Sequence, residues 1–145
     1  MSGFPSRGDP VALTQALVAI DSRNPALAAD GPGESRCART LGEILTAWGF
    51  RVELQDSGGG RQNVIARIGR SGRKGSLLFN GHLDTVGVEG MVHAPWESAV
   101  RAGRIFGRGS TDMKGGVAAM CAAAARASEA GLDGEIIVTD RKSVV

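Results

Sequence analysis

From Met113 to Ala130 the sequence reads MKGGVAAMCAAAARASEA, mostly alanine around Val117 and Met120, and Gly131 follows it. Alanine is the strongest helix former, and a glycine just past the last turn is a common stop. A helix that is small and apolar all round has no side built for water, so it belongs close against a sheet. The strands for such a sheet flank it. Ser76 to Asn80 (SLLFN) is a short apolar run closed by Asn-Gly, and Gly134 to Thr139 (GEIIVT) is another. Runs of this kind read as buried strands.

The remaining elements follow the same alternation. Pro10 to Ile20 spaces Val11, Leu13, Leu17, Val18 and Ile20 as a short amphipathic helix, with Asp9 as cap and Pro10 at the first helical position. Ser22 to Glu34 is broken by two prolines and by glycines into a loop. A second helix begins around Gly33, carries Leu41, Ile44, Leu45 and Trp48 on one stripe, and stops at Gly49. Arg51 to Gln55 alternates as a strand, DSGGGRQ is a loop, and Asn63 to Ile68 is a further strand. Val88 to Val100 reads as irregular, Arg101 to Arg104 as a turn, and Asp140 to Val145 fits no element. Strands alternating with helices predict one α/β domain with a mainly parallel sheet and helices on both faces.

Several function classes are disfavoured by the same sequence. Net charge is only +2, which gives no electrostatic case for nucleic acid or an acidic membrane. The basic piece GRSGRKG, with Arg67, Arg70, Arg73 and Lys74 nearby, has no interleaved aromatic residue for base stacking and reads as a solvated loop. Cys37 and Cys121 have no paired spacing, so a reducing, cytoplasmic setting is expected. The N-terminal residues carry no apolar core of a secretory signal. The longest apolar run, Val117 to Ala125, is about half of what a membrane span of roughly 20 residues needs.

Chemistry concentrates in two stretches. GHLDTVG (Gly81 to Gly87) places His82 and Asp84 at the carboxyl end of the SLLFN strand, where open α/β sheets bind ligands. Neutral imidazole is a good zinc ligand, and a nearby carboxylate commonly fixes its tautomer. GRGSTDMKGG (Gly107 to Gly116) sets Asp112 after two turn-permitting glycines and just before the alanine-rich helix. Taken singly, these residues have plainer readings: His82 as a structural hydrogen-bonder and Asp112 as a helix cap.

Together the stretches resemble a known family. From about Val11 to Thr139 the chain resembles the N-terminal part of the zinc aminoacylase family of metallopeptidases, which includes acetylornithine deacetylase, succinyl-diaminopimelate desuccinylase, carboxypeptidase G and related dipeptidases. The resemblance is carried by LLFNGHLDTV (Leu77 to Val86) and GRIFGRGSTDMKGGVAAM (Gly103 to Met120), with weaker support from Asn24 to Glu34 and from NVIARI. It implies a zinc-peptidase-like catalytic domain over residues 1–139. It also implies a two-zinc site in which cobalt can substitute, with His82 binding one metal and Asp112 bridging both. Asp84 takes a catalytic role behind His82, orienting it and tuning the site. The implied substrate is an N-acyl amino acid or small peptide, and family members are often homodimers.

Two departures from the family pattern stand out. Gly87 occupies a place where many members have proline. More seriously, the family's strand equivalent to GEIIVT is followed by a Glu-Glu pair, a general base and a metal ligand, whereas this chain continues DRKSVV from Asp140 to Val145. The later ligands and the dimerisation domain have no counterpart either. A zinc site needs three or four protein ligands. His93 is a poor third ligand, and Cys121, roughly 13 Å along the helix axis from Asp112, belongs to the core. The expectation is therefore a truncated, incomplete catalytic domain without activity of its own, residues 140–145 being a tail foreign to the family. The alternative is a non-catalytic fragment that binds metal weakly or serves as an interaction domain.

Overall fold

The computed structural model describes residues 3–70, 74–131 and 133–141. In chain order its elements are α1 (Pro10–Val18), α2 (Ser35–Ala47), β1 (Arg51–Gly58), β2 (Arg61–Gly69), β3 (Ser76–Gly81), β4 (Ala99–Arg101), β5 (Arg104–Phe106), α3 (Gly115–Glu129) and β6 (Glu135–Asp140). The start of α1 is set by Asp9, whose Oδ1 accepts from the backbone N–H groups of Val11 and Ala12 at 2.9 and 3.0 Å. Two donors that a helix start would leave orphaned are thereby satisfied. On α2 the whole predicted stripe, Leu41, Ile44, Leu45 and Trp48, is buried, and Gly49 takes a φ of +89° to end it.

The main sheet runs β1-β2-β6-β3, and β4-β5 forms a separate hairpin. The expectation of a mainly parallel sheet is corrected: β1–β2 and β2–β6 are antiparallel, and only β3–β6 is parallel. The cause is local. Gly58, Gly59 and Gly60 all have positive φ and fold β1 straight back on β2, leaving β3–α3–β6 as the crossover unit.

Helices on both faces are also not what forms. Val52, Val64, Ala66, Ile68, Ile136, Val138 and Phe79 alternate onto one side, and there α2 and α3 join them in a single core with α1 behind. The other side shows Ile65 and Ile137 half-buried and Leu78 58% exposed among the described residues. SLLFN is accordingly a strand but not a buried one, because β3 lies at the sheet's edge and Leu77 is 53% exposed. Arg101 and Arg104 flank a tight turn as predicted, but they belong to the β4–β5 hairpin. Asp140, expected in an unstructured tail, ends β6, paired with Val64 on one side and Gly81 on the other. Arg73 and residues 142–145 lie outside the described residues.

Helix α3 is buried along Val117, Ala118, Cys121, Ala122, Ala124 and Ala125, which suits its small side chains to the sheet. Cys121 and Cys37 are free thiols in the core, and burial pushes both up to about 12, so neither is a reactive thiolate at neutral pH. Among the described residues no helix is long and apolar enough to cross a membrane.

Candidate metal centre

The parallel β3–β6 pair ends at a rim where β3 gives way to His82. From there the chain stays straight because a second segment pairs with it: Thr85 N–H donates to Ser22 O at 3.0 Å, and Asn24 N–H donates to Thr85 O at 2.8 Å. Ser22 Oγ adds a bond to Leu83 O at 2.7 Å. His82 and Asp84 are thus held on a short, tied extension of the sheet.

The second stretch arrives as a compact loop. Gly107 has φ +151°, and a Cβ there would sit 2.3 Å from Val18 Cγ1 and 3.0 Å from Pro95 O. Arg108 N–H bonds Pro95 O at 2.8 Å, and Lys114 N–H bonds Gly109 O at 2.9 Å. Lys114 is wholly buried, and its ammonium donates to Leu17 O and Ile20 O at 2.9 and 2.8 Å, two carbonyls at and just past the end of α1. The loop is therefore clamped between α1 and the sheet while Asp112 projects outward. Gly107→Ala is expected to cost about 2–4 kcal/mol from overpacking and backbone strain combined, read as a fall in the urea midpoint. An unchanged midpoint would show that the loop is not clamped.

The two stretches meet. His82 Nε2 stands 3.1 Å from Asp112 Oδ1, while its Nδ1 faces Asp84 O at 2.9 Å and Asp84 Oδ1 at 3.3 Å. Leu27, Thr85 and Val86 help line a cleft of about 300 Å³ over the pair. With its proton on Nδ1, a neutral ring turns a lone pair on Nε2 towards a carboxylate oxygen. Two acceptors at that distance need something positive between them, either a proton or a metal ion. Two ligands of one tetrahedral zinc, at bond lengths of about 2.0–2.2 Å, lie roughly 3.3–3.6 Å apart, so a small separation of the pair would suit two positions of a coordination sphere. Among the described residues no group of three or more His, Cys, Asp or Glu side chains converges to complete one. His93 packs edge-on against Phe106, with ring centroids 5.5 Å apart, away from the pair.

Behind the pair lies a buried polar cluster that the motifs did not reveal. Asp84 is 4% exposed, and its Oδ2 accepts from Asn24 Nδ2 at 2.8 Å. Arg61 donates through Nε to both oxygens of Glu34 at 2.7 and 2.9 Å, and its Nη2 lies 3.8 Å from Asp84 Oδ2. Asp140, also buried, has no hydrogen-bond partner of standard geometry for either oxygen among the described residues. Burial raises its carboxyl to about 7, helped by the Glu34 and Asp84 carboxylates and opposed by the Leu83 backbone and His82. Of its members, Asp84 stands in its motif, Asn24 and Glu34 lie within the weakly matching loop, and Asp140 enters only as the first residue after the last matching strand, while nothing in the sequence marks Arg61.

A mixed sheet with a crossover helix thus delivers His-x-Asp and a glycine-loop aspartate to one rim. Residues 78–139 match the model of peptidase family M20/M25/M40, and the chain is homologous to members of that family over about 30% of their length. It is 40% identical over 119 residues to succinyl-diaminopimelate desuccinylase of Roseobacter denitrificans, covering 80% of this chain and 29% of that one. To the enzyme of the same name in Cereibacter sphaeroides it is 40% identical over 135 residues, 90% of this chain and 33% of that one. Among solved structures, an M20 family metallo-carboxypeptidase of Sulfolobus solfataricus superposes with a TM-score of 0.78 at 22% identity, over 92% of this chain and 30% of that one. Human carnosine dipeptidase 1 gives 0.73 at 26% identity, over 91% and 31%. The chain spans about a third of the length of the curated relatives it matches.

Proposed function

We propose that residues 1–139 are the N-terminal part of the catalytic domain of a zinc-dependent amidohydrolase, one that cleaves the amide bond of N-acyl amino acids or small peptides. The observation that supports this best is the 3.1 Å approach of His82 Nε2 to Asp112 Oδ1 across two separate loops. The names of the 40%-identical relatives favour an acyl-amino acid, with a succinyl group as the first to try. His82 and Asp112 would hold the metal, zinc or in its place cobalt. When bound, the metal polarises the scissile carbonyl and lowers the pKa of water from about 15.7 towards about 7. The chain's own residues supply placement: Asp84 orients the ring of His82, and the Gly107–Lys114 loop fixes the backbone from which Asp112 projects.

A second reading is favoured by the absence of a third ligand among the described residues. On that reading the 145-residue chain by itself is a weak metal-binding or interaction module. Both readings agree that it turns over no substrate unaided, and hydrolysis of an N-acyl amino acid by the purified chain with added zinc would overturn the incomplete-site assignment. Calorimetric titration with zinc tests the centre itself. His82→Ala should weaken binding by more than the about 10–100-fold that loss of an outer partner costs. No binding at all, or equal binding by His82→Ala, would remove the metal reading.

A further inference from the structure

Arg61 is 9% exposed and Glu34 1%, so the guanidinium is held by a carboxylate that water scarcely reaches. Burying such a pair is costly unless its geometry is good and the remaining donors have work to do. The Nε side is fully used on Glu34, by two contacts at 2.7 and 2.9 Å. Nη2 makes no hydrogen bond among the described residues, and it forms an ion pair with Asp84 Oδ2 at 3.8 Å. That same oxygen receives the Asn24 amide, whose own Oδ1 is fixed by the Ala26 N–H at 2.9 Å. Oδ2 is thus the anchored oxygen of Asp84, and Oδ1 is the one turned to His82 Nδ1 at 3.3 Å.

From this arrangement we infer that Arg61, pinned by Glu34, is a positioning residue that fixes the Asp84 carboxylate so that His82 keeps its proton on Nδ1 and presents Nε2 to a metal ion. The three side chains come from β2, the loop before α2 and the extension of β3, so a single guanidinium ties together parts of the chain far apart in sequence. Without it, Glu34 is a buried carboxylate that has lost its guanidinium, and repulsion shifts Asp84 so that its carbonyl, 2.9 Å from His82 Nδ1, and its Oδ1, at 3.3 Å, move off the imidazole together. The inference rests on His82 being a metal ligand.

The test is ¹⁵N NMR of the imidazoles in the metal-free 145-residue chain. The unmodified chain is expected to show His82 as the Nδ1–H tautomer. Arg61→Met should give a mixture of Nδ1–H and Nε2–H forms, with the His93 signals unmoved. Identical His82 signals in folded Arg61→Met overturn the proposal. Should Arg61→Met fail to fold by circular dichroism, Arg61→Lys decides the question by the same signals, because an ammonium keeps the charge but cannot span both carboxylates. Zinc affinity is expected to fall about 10–100-fold with either variant, and equal affinities also overturn it. Failure of the unmodified chain to bind zinc removes the metal-centre reading and leaves the tautomer result to decide the role of Arg61.

Discussion

Replacing Asp140 by asparagine is expected to stabilise the chain at about pH 8 by up to about 4 kcal/mol and to change little near pH 4. The carboxyl is moved from 3.8 to about 7, first by burial and then by the Glu34 carboxylate. A carboxyl raised in the folded state keeps its proton there at a pH where the unfolded chain has released it. The folded state therefore binds more protons between the two values, and stability falls as pH rises from about 4 to about 7. Above that window the folded chain carries a buried charge, and the gap of about three pH units at about 1.4 kcal/mol each sets the upper limit of the cost. Asparagine has the shape of the protonated acid and cannot ionise, so the variant should lose that slope. Urea midpoints of both proteins from about pH 4 to 8 decide it. Parallel curves would mean that Asp140 finds a partner or reaches water.

Glu34→Ala should act in the opposite direction, lowering stability by about 3–5 kcal/mol at neutral pH. The loss comes less from the missing contact than from what is left behind, a guanidinium 9% exposed with neither of its carboxylate bonds at 2.7 and 2.9 Å. Against a typical total of about 5–15 kcal/mol, that is about a fifth of the stability or more. Glu34→Gln, which still accepts a hydrogen bond, should cost clearly less. Denaturant titration of the two variants is the measurement, and a loss under about 1 kcal/mol for Glu34→Ala would show that Arg61 swings out to solvent. The contrast is Lys74 with Asp133, a pair at 3.0 Å whose side chains are 70% and 78% exposed. Water screens such a pair so well that its removal is barely felt.

Legibility in the sequence followed the range of the interaction. Asp9 with Pro10, the Leu41–Trp48 stripe and Gly49 act within a few residues, and both helices they define lie where that logic puts them. Strand direction is a choice among distant partners. The apolar run of β6 looks the same whether its neighbours are parallel or not, so the mixed sheet was not readable from it. Nor does the composition of Leu77 and Leu78 say that nothing among the described residues covers them. At the centre, His82 and Asp112 stand out because glycines and spacing frame them in the chain. Arg61 has no such frame; its meaning comes from Glu34 and Asp84, and only the folded chain introduces them.

The register of the parallel pair also governs what can stand beside the imidazole. Gly81 is level with Asp140, and the peptide N–H of Arg141 bonds Gly81 O at 2.9 Å, which carries the ladder one step on. Position 141 is in this way delivered opposite His82, at the spot from which a neighbouring strand could offer an electron pair to a shared cation. Guanidinium has no lone pair to give and brings a positive charge of its own. The ladder position level with His82 is thus held by a residue that could not serve as a ligand to the proposed centre.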